Sequence, residues 1–316
     1  MKKYFIISGF AVFLFIVQLS FKGKEPTTPA ELGELLFSEK LLSSNKTVSC
    51  ASCHLPQFAF ADTMSMSRGV LGRMGRRNTP SSMNLRLQPA FFWDGRARTL
   101  EEQALKPIQD PAEMNLPIEE AVARLRKSRK YRDYFKKIYN SEPTKENLAN
   151  ALASFELTLE TSDSPFDVWK FMDDENAVAE DVKRGFAIFG TKGKCTSCHF
   201  GADFTSNEFR NIGLFDGKNF NDSGRYEVTK KLADIGRFKT PSLRNIALTA
   251  PYMHNGKFRT LKEVIEFYND PSKVVPGGIN RDTVLAKPLG LTDPERSDLE
   301  AFLNALTDSR FTKIRK

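Results

Sequence analysis

Cysteine, histidine and tryptophan are scarce in this chain: four, three and two among 316 residues. Sustained period-two alternation is missing, which argues against an all-β fold. Long apolar runs are missing too, apart from one near the start, which excludes a polytopic membrane protein. With 40% hydrophobic and 27% charged residues, the composition also excludes a disordered tail and a collagen-like repeat. The net charge is +8, yet Lys2, Lys3, Lys22 and Lys24 supply four of those positives in an acid-free opening, leaving +4 for the rest. That remainder is too small to argue for nucleic acid as a partner.

The opening has its own meaning. Met1-Lys2-Lys3 precedes an uncharged 18-residue stretch, Tyr4 to Phe21, with the charged and apolar regions of an export signal. The chain is therefore expected outside the cytoplasm, in the periplasm. The stretch is long for a cleaved signal and just long enough to span a bilayer, so residues 1–24 read as a signal peptide or as an N-terminal membrane anchor.

All four cysteines sit in two pairs, each followed at once by histidine: Cys50-Ala51-Ser52-Cys53-His54 and Cys195-Thr196-Ser197-Cys198-His199. None is left for a disulfide scaffold. In CxxCH the two thiols lie one turn apart and form thioethers with the vinyl groups of one haem, while the histidine reaches the iron as an axial ligand. A zinc ribbon needs its CxxC knuckles about 15–20 residues apart, whereas 141 residues separate Cys53 from Cys195. A thioredoxin-like pair explains neither histidine. Two covalently bound haem c groups are the expectation.

The haem motifs belong to an internal repeat. Thr79-Pro80-Ser81-Ser82-Met83-Asn84 recurs as Thr240-Pro241-Ser242-Leu243-Arg244-Asn245, and Trp93-Asp94-Gly95 to Leu100 as His254-Asn255-Gly256 to Leu261, both at an offset of 161. Gly33-x-x-x-Phe37 and Gly185-x-x-x-Phe189 precede the two haem motifs in the same way. The pattern predicts a mostly helical chain of two copies, each holding one haem, with the polar stretch 161–176 between them. Helices are expected over 118–139 and 148–159, from a capping box at Thr260 to Glu263, and from an Asp293 cap with Pro294 first in the helix.

With FWDGR at Phe92–Arg96, RNTPS at Arg77–Ser81 and APYMHNG at Ala250–Gly256, the chain resembles the di-haem cytochrome c peroxidase family that also contains MauG. The likeness runs from about residue 30 to about 306, with several motifs in order. It implies an all-α chain of two cytochrome c-like haem domains, 25–165 and 166–316, with one haem each and a calcium ion between them, touching Asn78 and the carbonyls of Thr249 and Pro251. Asn78 also reads simply as a turn residue before Thr79-Pro80.

The resemblance also bears on the chemistry. Peroxidases that need reductive activation cap the first haem with a loop histidine eight residues before the RNTP-type asparagine. Here that residue is Val70, and no histidine lies between His54 and His199, so the first haem is expected to be open. Met64, Met66 and Met74 are expected to pack in the loop rather than bind iron. The segment 103–113 resembles the family's distal pocket, which makes Glu113 the acid/base that moves a proton between the peroxide oxygens, with Gln103 beside it. Trp93 takes the place of the aromatic that relays electrons between haems.

The repeat then separates the two copies. Fourteen residues beyond Trp93 stands Pro107, and fourteen beyond its counterpart His254 stands Tyr268. Proline cannot ligate iron and a tyrosine oxygen can. Tyr268 shares a helical face with Leu261, Val264 and Ile265, so it should point inward. Met253 and Met172 are rival ligands. Ordinary di-haem peroxidases have methionine at the matching position, and MauG has tyrosine. His254 is expected in the pocket or at a haem propionate, and Arg210, Arg225, Arg237 and Lys239 as surface charges or propionate partners.

Three functions remain. The first is a peroxidase that reduces hydrogen peroxide at the first haem, with electrons from a small donor cytochrome or other redox protein passing through the second haem. The second is a MauG-like oxidase that acts on the side chains of a protein substrate. The third, a pure electron-transfer cytochrome, requires both irons to be six-coordinate.

Overall fold

The computed structural model describes residues 25–161 and 163–313. The export or anchor segment, residues 1–24, lies outside the described residues. Among them no helix is long and apolar enough to cross a membrane.

Among the described residues eleven α-helices carry the fold. In the first half α1 (Pro29–Phe37), α2 (Leu100–Gln109), α3 (Ile118–Lys127), α4 (Arg129–Tyr139) and α5 (Lys145–Glu156) surround one core. In the second, α6 (Pro165–Phe171), α7 (Glu180–Gly190), α9 (Leu261–Asn269) and α10 (Asp293–Asn304) surround another, while α8 (Tyr226–Thr229) and α11 (Ser309–Lys313) are short. The chain passes from the first core at Leu159 to the second at Phe166, although Phe311 returns to the first. The polar stretch 161–176 is not all linker: α6 lies inside it, started by a Ser164 capping box. Buried Asp167 on α6 ties it to Arg244, with N–O distances of 2.7 and 2.8 Å.

Each half rests on one helix crossing. α1 crosses α5 at Gly33, where a Cβ would stand 1.9 Å from the Ala151 carbonyl oxygen and 2.8 Å from the Phe155 Cβ. α7 crosses α10 at Gly185, where the corresponding atoms are the Asp298 carbonyl oxygen at 2.0 Å and the Phe302 Cβ at 2.8 Å. Only glycine permits this approach. The same register continues one turn on, since the Asn84 amide donates to the Leu159 carbonyl (2.8 Å) and the Asn245 amide to that of Leu306 (3.0 Å).

The copies also grip each other in a matched way. The Asn78 amide donates to the His254 carbonyl (2.7 Å), and the Lys239 amide to the Trp93 carbonyl (2.8 Å). Asn78 and Lys239 are 161 residues apart, as are Trp93 and His254, so the contact is reciprocal, like the isologous interface of a symmetric dimer.

Some expected boundaries move. The helix expected over 118–139 is two, because Ser128 leaves helical geometry (φ −80, ψ 114) and caps the Arg124 and Leu125 carbonyls. The break lets Leu125, Tyr131 and Phe135 all reach the core. The helix expected over 148–159 runs instead from 145 to 156, with a Thr144–Asn147 capping box at its start. Thr260 caps α9 as expected. Asp293 does not cap α10: Thr292 does, paired with Glu295, placing Asp293 and Pro294 inside the first turn. Strand is limited to β1 (Phe209–Arg210) paired antiparallel with β2 (Phe238–Lys239) and isolated bridges.

The crossings generate a test. Gly33→Ala and Gly185→Ala each force backbones apart and should lower stability by at least about 1–3 kcal/mol, the usual scale of overpacking. Denaturant unfolding measures it, and an unchanged midpoint would show that the crossings tolerate a methyl group.

Candidate haem sites

A single cavity of ≈ 550 Å³ opens between the halves, and both CxxCH motifs line it. Cys50–Ser52 and Cys195–Ser197 each form one 3-10 turn. The following histidine closes each turn, its amide donating to the carbonyl of Cys50 (2.9 Å) or Cys195 (2.8 Å). The four cysteine side chains are half-buried and form no disulfide with one another.

The two imidazoles are held alike. His54 Nδ1 lies 2.9 Å from the Phe60 carbonyl oxygen and 2.9 Å from Ser82 Oγ, and His199 Nδ1 lies 2.9 Å from the Phe204 carbonyl oxygen. A ring N–H at Nδ1 donating to a carbonyl leaves Nε2 as the basic nitrogen, the arrangement that orients metal-bound histidines. Burial lowers the pKa of both, keeping the rings neutral and able to bind metal. Paired thiols, an oriented neutral imidazole and mostly apolar walls fit one haem in each copy.

The first copy also brings Gln103, Pro107 and Glu113 to the cavity wall. Gln103 and Pro107 are one turn apart on α2. Beyond α2 the chain folds back, with the Met114 amide donating to the Pro107 carbonyl (3.2 Å) and that of Leu116 to Ile108 (2.8 Å). Glu113 is pushed up to about 7, chiefly by burial and then by Asp110, while Arg96 acts the other way. Its carbonyl accepts the Val70 amide (2.7 Å). Gly69 makes this possible, since a Cβ there would lie 2.1 Å from the Ala112 carbonyl oxygen and 2.4 Å from that of Glu113. Val70 is fully buried, and neither it nor Met64, Met66 or Met74 lines the cavity.

In the second copy Leu261, Val264, Ile265 and Tyr268 all face the cavity from α9. Burial, with the nearby Cys198 and Cys195 thiols, pushes the Tyr268 hydroxyl well above the ordinary tyrosine range. Met253 also lines the cavity; Met172 is 62% exposed and does not, which removes it as a rival to Tyr268.

Trp93 and His254 also line the cavity. The Trp93 indole N–H donates to the Asn78 carbonyl (2.8 Å). His254 stacks on Phe238, with ring centres 3.6 Å apart, and burial lowers its pKa to about 4. Asn78 is buried and donates its side-chain amide to the Met64 carbonyl (3.1 Å). Thr249 and Pro251 line the same cavity. No cluster of acidic, histidine or cysteine residues suited to a metal ion occurs among the described residues.

The expected basic residues divide. Arg210 lines the cavity but pairs with Asp282 (2.9 Å) and Glu208 (2.5 Å). Arg225 donates to the Asp94 and Gly95 carbonyls, and Arg237 pairs loosely with Asp234 at 3.7 Å. Lys239 is no surface charge: it lines the cavity, donates to the Ala90 carbonyl (2.9 Å), and burial lowers its pKa to about 8.

Sequence reasoning missed Glu156, a buried carboxyl on the cavity wall at the end of α5. Its spacing from Leu152 and Leu159 places it on the apolar face of α5, a signal that was there to be read.

Comparison with known proteins agrees with this geometry. The family model described as di-haem cytochrome c peroxidase matches residues 27–176, and that of cytochrome c matches 182–307. The methylamine utilization protein MauG of Methylorubrum extorquens is 38% identical over 289 residues, covering 89% of this chain and 79% of the relative. The cytochrome c551 peroxidase of Nitrosomonas europaea is 38% identical over 240 residues, covering 75% and 71%. A solved MauG-like protein associated with microbial copper homeostasis superposes with a TM-score of 0.80 at 31% identity over 91% of both chains. With two CxxCH turns, two oriented imidazoles and these relatives, the chain is a two-haem c-type oxidoreductase that belongs to the di-haem cytochrome c peroxidase family, MauG included.

Proposed function

We propose that the chain reduces hydrogen peroxide at the haem of the first copy, using electrons that enter through the haem of the second. The observation that carries this reading is the asymmetry of matched positions: Pro107 and a near-neutral Glu113 wall the first site, and Tyr268 walls the second. Bound at the two CxxCH turns, the haems supply the iron at which the peroxide O–O bond breaks and the route for its electrons. His54 and His199 would each hold one iron, Tyr268 would supply the second with a further oxygen donor, and Pro107 offers the first none.

Glu113 takes a proton from the nearer peroxide oxygen and returns it to the leaving one, so that water departs. A carboxyl near 7 suits both halves of that transfer, and Gln103 orients the peroxide beside it. Trp93, hydrogen-bonded to one copy and accepting an amide from the other, occupies the path between the sites. The Asn78 side-chain oxygen and the Thr249 and Pro251 carbonyls, hard donors on one cavity wall, are the proposed calcium ligands. The export pattern at the start of the sequence supports a periplasmic location, with the leader cleaved or retained as an anchor. The electron donor is then a small cytochrome or other redox protein.

A second reading rests on Tyr268. An anionic oxygen ligand favours higher oxidation states of iron and makes the second haem a poor acceptor from donor cytochromes. That suits an enzyme that uses peroxide to oxidise side chains of a partner protein. Steady-state assay with peroxide and a panel of reduced small cytochromes separates the two. Rapid turnover is expected here; negligible turnover with a long-lived oxidised state would favour the partner-oxidising enzyme.

Two variants test the residues. Glu113→Gln should slow peroxide consumption by about 100-fold or more with haem content unchanged. Because the ionised carboxyl accepts the first proton, native turnover should rise as pH increases through about 7, and this limb should vanish in the variant. Wild-type kinetics in Glu113→Gln would remove Glu113 from the reaction.

For Tyr268, the ferric protein should show one high-spin and one low-spin haem. Tyr268→Phe should abolish the low-spin signal, and Tyr268→Met should raise the second haem's potential and speed turnover with cytochromes. A low-spin signal that persists in Tyr268→Phe would pass the ligand role to Met253 or His254.

A further inference from the structure

Glu156 has no place in the chemistry above. It is 6% exposed, lines the cavity with Phe37, Cys50 and Leu152, and its Oε2 has no hydrogen-bond partner among the described residues. The second copy shows what the scaffold itself requires at this position. Phe155 packs on Gly33 as Phe302 packs on Gly185, so the counterpart of Glu156 is Leu303, also on the cavity wall. One copy is completed with a hydrocarbon; the other carries an unpaired carboxyl at an energetic cost.

Among the described residues no charged group shifts it, burial being the sole cause. α1 brings Leu32, Leu36 and Phe37 to this core, with Glu34 exposed. α2 brings Ala104, Leu105 and Ile108, with Glu101 and Glu102 exposed and Lys106 paired to Glu102. α3 brings Ala121, Val122 and Leu125, its Arg124 occupied by Glu120 and the Leu41 and Ser43 carbonyls. Of the titratable groups, Cys50 senses both Glu156 and Glu113, and it ceases to titrate once joined to haem. Burial alone pushes Glu156 up to about 8.

We propose that Glu156 is the proton-linked counter-charge of the first haem pocket, protonated while the haem there is reduced and ionised when it is oxidised. Loss of one electron leaves an added positive charge in a poorly screened site. The carboxyl then releases one proton through the cavity to solvent, and the carboxylate balances that charge. Reduction takes the electron and the proton back together. The second haem, with Leu303 in the matched place, has no such group. The inference rests on haem at Cys50–His54 and not on Glu113 or the electron donor.

The test is a spectroelectrochemical titration of both haems in the holoprotein from pH 6 to 10, for the native chain, Glu156→Gln and Glu156→Leu. One native midpoint potential should fall as pH rises, because ionisation favours the oxidised haem, and should fall less in both variants, any remainder there being lost with Glu113→Gln. The other should be the same in all three. A fall that is undiminished in Glu156→Gln and Glu156→Leu would overturn the proposal. Haem content by mass separates this from failure of the two-haem reading, which would show as fewer than two haems on the native chain. Glu156→Leu repeats the packing of the second copy and guards against misfolding of the glutamine variant.

Discussion

The structure depends on backbone-to-backbone contact at two glycines. Gly33 and Gly185 let α1 and α7 lie against the carbonyls of Ala151 and Asp298, which fixes where α5 and α10 end. Each end delivers the next residue, Glu156 or Leu303, to the cavity wall, and a turn later a carbonyl that accepts the Asn84 or Asn245 amide. Those asparagines close the loops that run beside the histidine-bearing turns. The haem surroundings are therefore set by a contact that involves no haem-facing side chain.

On this common frame the copies differ at matched positions around the cavity. Pro107 answers to Tyr268, Glu156 to Leu303 and Trp93 to His254. A peroxide-consuming site needs an open iron, mobile protons and an electron supply, whereas a relay site needs a closed coordination sphere and few protonic groups. The substitutions separate the copies along that line while leaving the crossings, the His–carbonyl bonds and the reciprocal Asn78–His254 and Lys239–Trp93 contacts intact.

Much of this was legible in the sequence because it repeats. The CxxCH turns, the 161-residue offset and the inward face of α9 follow from spacing alone, and each stands as expected. Helix ends were less legible where two capping signals overlap. Asp293-Pro294 and Thr292-x-x-Glu295 compete for one helix start, and the reciprocal capping box prevails. Ser128 gave no sign of a break, since whether a serine interrupts a helix depends on how the flanking apolar residues pack. Glu156 was overlooked for a different reason: its spacing from Leu152 and Leu159 puts it on the apolar face, but a single acid in an apolar helix is read by default as exposed. Lys239 was likewise assigned to the surface on general grounds, and only the meeting of the copies encloses it.

The short bond between the Val70 amide and the Glu113 carbonyl ties the loop 67–75 to the backbone of Glu113. Gly69 presses the same loop against Ala112 and Glu113, so there is little slack between them. Residues 67–75 and the segment that carries the Glu113 carboxyl thus form one continuous piece of the cavity wall, so the position of that carboxyl is set from the loop as well as from α2.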